Sequence, residues 1–226
     1  MVQTSILHLV LLNLKSAPGE APVDDLLAAF ARLAEIDGVL HLGAARAASD
    51  DSTHSLAMFA LLRDSAALEE FGTHPRHIEY LQTAVLPRVS DLVTADVVVA
   101  TGPPGQPRTG PRLGAAVWPP SSYRAAACFC AGFRPTTFDW QVRSLFDAAA
   151  QAPDNATIGG MAADGRQRFR AAGLALWPDP TDWSPGRRSD SFRRLWDDCW
   201  GAAATDQARV VGPAKPIGPT ASGAVP

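Results

Sequence analysis

Beyond residue 77 this 226-residue chain has no histidine: all five (His8, His41, His54, His74 and His77) precede that point. Tyrosine is nearly as scarce, with only Tyr80 and Tyr123. Groups that titrate near neutrality are therefore confined to one half of the chain. The three cysteines, Cys128, Cys130 and Cys199, have no zinc-site spacing and leave one thiol over in any disulfide scheme, so they read as small buried hydrophobes in a reducing compartment. Apolar runs such as Ile6 to Leu12 stop well short of the ~20 residues needed to cross a bilayer. No charged segment with an apolar core and cleavage site precedes them, and the expectation is a soluble, unexported, cytoplasmic protein with no membrane partner. A net charge of -3 gives no reason to expect a polyanion, which argues against nucleic acid. Gly159-Gly160 and Gly102-Pro103-Pro104-Gly105 lack the glycine spacing and lysine of a phosphate cradle, and no GxSxG nucleophile elbow is present.

What is present is periodicity. Ser5 to Leu14 is a dense apolar run of the kind found in strands buried on both faces. From Val23 the spacing becomes helical, with Leu26, Leu27, Phe30, Leu33 and Ile36 on one stripe, until Asp37-Gly38 stops it. Val39 to Arg46 and His54 to Leu62 read as strands flanking a polar turn. Arg63-Asp64-Ser65 opens a short helix through Phe71, His74-Pro75 interrupts it, and a further helix runs to about Leu86. Leu92 to Ala100 completes the order βαββαβ in residues 1-100. The breaker-dense stretch 101-120 reads as a Pro/Gly linker or wrapping loop. The same order can be traced again over 121-212. It comprises strands at Ala125 to Phe133, Thr157 to Ala163, Arg168 to Trp177 and Arg209 to Val211, and helices at Thr137 to Gln151 and Ser189 to Trp200. Residues 213-226 read as a disordered tail.

Strand alternation places His8 with Ile6, Val10 and Leu12, and His54 with Leu56, Met58 and Ala60. Histidines among apolar neighbours are either core residues with one satisfied hydrogen bond or members of an acid-base site. His77, after the helix break, favours the second reading. His74, before a proline, is expected to fix the turn. His74 and His77 make a poor metal pair, because Glu69, Glu70 and Glu79 occupy ordinary helix-surface positions. His41 is left without a role. In the second half, Ala127 falls at the position of His8 and Phe169 at that of His54. All six tryptophans lie there: Trp196 and Trp200 read as packing, and Trp177, ahead of Pro178, as a stacking surface for a flat ligand.

Four features in order, the strand bearing His8, Glu35-Ile36-Asp37-Gly38-Val39, Thr53-His54 and His74-Pro75-Arg76-His77, resemble the stress-responsive A/B barrel (Dabb) proteins of the dimeric α/β barrel superfamily over residues 5-100. The resemblance implies an α+β fold in which two tandem ferredoxin-like repeats pack as an intramolecular pseudo-dimer, which could itself pair as a homodimer. Polyketide cyclases of the olivetolic acid cyclase type carry histidines at the positions of His8, His54 and His77, the last acting as base. They also carry a tyrosine where this chain has Phe71. Other relatives oxidise anthrones and related phenols without a metal.

The resemblance thus implies a cofactor-independent enzyme acting on a hydrophobic aromatic molecule. The expected catalytic residues are His77, His54 and His8, with Phe71, Tyr80, Trp177 and Tyr123 binding substrate, and no metal. Three functions follow: an aldol-type polyketide cyclase of antibiotic biosynthesis, a cofactor-independent monooxygenase, and a non-catalytic small-molecule-binding module. The Ala-, Arg-, Pro- and Trp-rich composition is that of a GC-rich bacterial genome.

Overall fold

The computed structural model describes residues 3–15, 20–48, 52–101, 123–133, 156–161, 169–178 and 204–217. The elements are β1 (Gln3–Leu14), α1 (Glu20–Ala31) with a 3₁₀ turn (Arg32–Glu35), β2 (Val39–Arg46), β3 (Leu56–Leu62), α2 (Ser65–Thr73), α3 (Pro75–Tyr80) with a π turn (Leu81–Val85), and β4 (Val89–Thr101). The second half supplies β5 (Ala125–Phe133), β6 (Ala156–Met161), β7 (Ala171–Trp177) and β8 (Ala204–Ile217). The expected helices over 137–151 and 189–200, and nearly all of the expected linker, lie outside the described residues.

The eight strands form one sheet in the order β4-β1-β3-β2-β8-β5-β7-β6. Each block of four repeats the ferredoxin-like order, with the fourth, first, third and second strands side by side. The blocks join where β2 pairs antiparallel with β8, from Leu42↔Ile217 to Ala45↔Ala214. At the far edges β4 comes alongside β6, with Cα atoms within 8 Å, so the sheet curls toward a barrel.

Two cores follow from the alternation along the strands. Leu7, Leu9, Leu11, Phe59 and Val97 meet Cys128, Cys130, Leu174 and Val210 from the second half inside the barrel. On the other face Ile6, Leu12, Met58, Ala60 and Leu62 meet Leu26, Phe30, Phe71 and Tyr80 from the helices. β1 is sandwiched between these layers, which is why its sequence is apolar on both faces. Gly38, at φ 80, makes the left-handed turn from helix to β2 that a side chain would strain.

Several boundaries differ from the sequence expectation, most by a few residues. β3 begins at Leu56, so His54 lies in the preceding bend. β4 starts earlier, at Val89. The largest difference is β8, a 14-residue strand that continues to Ile217 through Gly212, Pro213 and Pro216, where composition had indicated a domain end and a disordered tail. The prolines are tolerated because of where they fall. Pro213 is the last residue paired with β5, and Pro216 lies near the end of the short ladder with β2, so each lacks its N–H at a ladder end.

Candidate active site

His8 sits at the middle of β1 on the helix-facing side, between Ala60 on β3 and Asp96 on β4. Its Nδ1 lies 2.5 Å from Asp96 Oδ1. An ionised carboxylate can only accept, so the contact keeps a proton on Nδ1 and leaves Nε2 as the atom available to a ligand. Above His8 lie Phe71 of α2, with ring centroids 5.7 Å apart, and His77 of α3, at 6.5 Å and edge-on. Phe71 and His77 are themselves stacked at 4.4 Å.

The helix break sets this geometry. His74 is extended at ψ 134, as a residue before proline must be, and its Nδ1 accepts from the Arg76 amide while Pro75 opens α3. The expected turn-fixing role of His74 is what its contacts show. Ahead of it, Asp64 caps α2 by accepting from the Ala67 amide at 2.8 Å. The new helix turns His77 back over Phe71, where its Nδ1 donates a long 3.5 Å hydrogen bond to the Gly72 carbonyl, so that Nε2 is the proton-accepting nitrogen of the ring. Burial pushes the His77 pKa down, and the charge of His8 and that of His74 add to this; the Gly72 carbonyl opposes it. His77 is therefore a neutral imidazole at pH 7, half-buried and able to accept a proton.

His8, His77 and Phe71 are thus gathered at one place, and Tyr80 lines the same layer three residues beyond His77. Three expected participants lie elsewhere. His54 precedes Leu56, which pairs with Leu12, so it lies beside the last residues of β1, about 20 Å along the strand from His8 at the usual rise per residue. There its Nδ1 is 2.8 Å from Thr53 Oγ1 and its Nε2 3.4 Å from Asp91 Oδ2. The expected convergence of three histidines becomes a pair, because the antiparallel register of β1 on β3 carries His54 to the end of β1, away from His8. Tyr123 is inside the barrel, on the opposite face of the sheet from His8. Its hydroxyl is 2.9 Å from His41 Nε2 and its ring lies beside Phe59, in space left by Gly43. Burial lowers the His41 pKa to about 4 and pushes the Tyr123 hydroxyl up, so this pair is neutral. Trp177 ends β7 in the second half and is fully buried.

Sequence reasoning missed Asp96. A carboxylate in the middle of a strand otherwise reading Val-Val-Val was the available signal, since an acidic residue there needs a partner on the neighbouring strand. Among the described residues, no group of three or more His, Cys, Asp or Glu side chains could hold a metal ion, and no helix is long and apolar enough to cross a membrane. Cys128 and Cys130 are buried in the barrel with their thiol pKa values pushed up, which makes them unreactive; Cys199 lies outside the described residues.

Whole-chain structural likeness extends across both repeats. The fold is shared with a candidate monooxygenase from Fusobacterium nucleatum subsp. nucleatum at 13% identity and TM-score 0.59, covering 96% of this chain and 94% of that one. It is shared with a candidate monooxygenase from Lactobacillus acidophilus at 8% identity and TM-score 0.56, covering 94% of each chain. An anthrone oxidase-like protein matches at 12% identity and TM-score 0.55, over 99% of this chain and 97% of that one. No match was found among curated proteins. The sequence match is confined to the repeat that holds the histidines: residues 6–99 match the Stress responsive A/B Barrel Domain family, Dabb.

Proposed function

We propose that the protein is a cofactor-independent monooxygenase of a polyphenolic, anthrone-like substrate, with His77 as the base. The observation that carries this reading is the pair of imidazoles, one neutral and half-buried over Phe71 and one fixed by Asp96, meeting over an apolar floor. An imidazole held neutral at pH 7 suits removal of a proton from the methylene of an anthrone, whose conjugate base is a delocalised enolate. That electron-rich anion reacts with dioxygen directly. The methylene carbon loses four electrons and becomes a carbonyl; one oxygen atom enters the product and the other leaves as water. His77 takes the first proton, and His8, with Asp96 behind it, is positioned to hold an oxygen of the substrate or to supply a proton to the outer peroxide oxygen as the O–O bond breaks and that oxygen leaves as water. Phe71 stacks on the base and cannot take the place of a tyrosine hydroxyl, which weighs against direct transfer of the cyclase mechanism. Whole-chain likeness to an anthrone oxidase-like protein supports the oxidative reading further.

The test is turnover of 1,8-dihydroxyanthrone followed by oxygen uptake and quinone absorbance. One dioxygen should be consumed per quinone formed, and His77→Ala should lower turnover at least about a hundredfold. Full activity in that variant would overturn the base assignment. Ring closure of a linear poly-β-ketone thioester without oxygen uptake would establish the aldol cyclase instead. Binding without turnover of either compound would leave the small-molecule-binding module.

A further inference from the structure

We infer that Tyr80 is the second polar anchor of this site, donating its phenolic hydrogen to the keto oxygen of a flat tricyclic substrate, across the ring from the carbon that His77 deprotonates. The inference rests on the proposed function and adds what holds the enolate oxygen.

Tyr80 follows His77 by three residues on α3, so the two side chains lie on one face of the helix, toward the sheet. Beneath them are two successive rows of the sheet. In the first, His8 is paired with Ala60; in the second, Val10 is paired with Met58. His77 stands over the first row, and the Tyr80 hydroxyl reaches the second, where it donates to Met58 Sδ at 3.1 Å. Rows two residues apart on a strand are separated by about 7 Å, close to the width of one fused aromatic ring with its substituents. The sheet is low at this point. Ala60 faces His8 on one side and Leu42 on the other, and Ala44 flanks Met58.

The partner of the hydroxyl is the telling feature. Tyr80 is buried, its ring held 5.9 Å from that of Phe30, and buried phenols generally donate to oxygen or nitrogen. A thioether is a weak acceptor on a flexible side chain, easily displaced by a carbonyl or enolate oxygen. Burial pushes the Tyr80 hydroxyl far up, so it remains a donor at any working pH. In the reaction, proton removal by His77 moves negative charge through the ring onto the keto oxygen. A hydrogen bond waiting there strengthens as the charge develops, which is how a fixed donor lowers a barrier.

Two soluble probes of the same shape and charge test the assignment: anthraquinone-2-sulfonate, which carries keto oxygens, and anthracene-2-sulfonate, which has none. Affinities of the wild-type chain and of Tyr80→Phe are measured by calorimetric titration. Tyr80→Phe should weaken the quinone by about threefold to tenfold and leave the hydrocarbon within about twofold. Equal losses for both probes, or none for either, would overturn the donor role while leaving the proposed oxidation standing. Failure of the wild-type chain to bind both probes would overturn the aromatic site itself and this inference with it.

Discussion

The two repeats share a register, and the comparison shows how little of a site is encoded by a fold. Each third strand has seven residues, and setting Leu62 on Trp177 makes Ile6 equivalent to Ala125, His8 to Ala127 and Asp96 to Val211. Where the first repeat holds an imidazole fixed by a carboxylate, the second holds two apolar side chains on the same paired strands. The face of the sheet turned away from the barrel interior differs to match. Ile6, Val10, Leu12, Met58 and Leu62 become Ala125, Phe129, Ala131, Gly173 and Trp177, a floor mostly of small residues. Inside the barrel the halves remain alike, with Leu7, Leu9 and Leu11 answered by Ala126, Cys128 and Cys130. The shared face is the one that must close the barrel; the face that each repeat keeps to itself was open to diverge.

The largest effect that would test this asymmetry is catalytic. His8→Ala and Asp96→Asn should each lower turnover of 1,8-dihydroxyanthrone by about tenfold to a hundredfold, and the double variant should be little worse than either alone, because the carboxylate acts through the imidazole. Additive losses in steady-state kinetics would show that the two residues act separately.

The next effect is on stability. Val211→Asp recreates the carboxylate in the second repeat opposite Ala127, where it is fully buried without an imidazole, and should cost about 2–4 kcal/mol in chemical denaturation. Adding Ala127→His should recover part of that loss. Without any recovery, the equivalence of register would not extend to side-chain geometry.

The last effect, absent at neutral pH and growing only as acid is added, concerns the barrel interior that the repeats share. Burial holds the pKa of His41 at about 4, below its ordinary value of 6.5. The unfolded chain therefore binds a proton that the folded chain refuses between those values. Stability from this residue is present in full above about pH 6.5 and is lost as pH falls toward 4, by up to about 1.4 kcal/mol per pH unit. His41→Gln should flatten the acid limb of a stability-versus-pH curve; an unchanged limb would place the titrating group elsewhere.

Much of this architecture could be read from local pattern. The helix stripe from Leu26 to Ile36, the turn at Gly38 and the break at His74-Pro75 all depend on neighbours within a few residues, and the structure reproduces them. The lopsided histidine distribution is equally plain, and it confines the imidazoles to the first repeat. Tertiary pairing escaped that reading. Pro213 to Ile217 resembles a tail by composition, yet Ala214 to Ile217 is paired with β2, more than 160 residues earlier in the chain. Alternation gave His54 the same facing as His8, but said nothing of its position along the sheet, and the register of β1 against β3 carries it to the far end.

The sequence by itself determined the strand order of both repeats, the helices of the first and the helix break that sets His77 beside Phe71, because periodicity and proline geometry act locally. Only the tertiary structure decided that Asp96 stands behind His8, that Tyr80 reaches Met58 one row from the base, and that His41 and Tyr123 belong to the barrel interior. Those relations are set by which strands pair and in what register, and the burial of both faces of β1 fixes that register, since a slip of one residue would turn His8 into the barrel and Leu7 toward the helices.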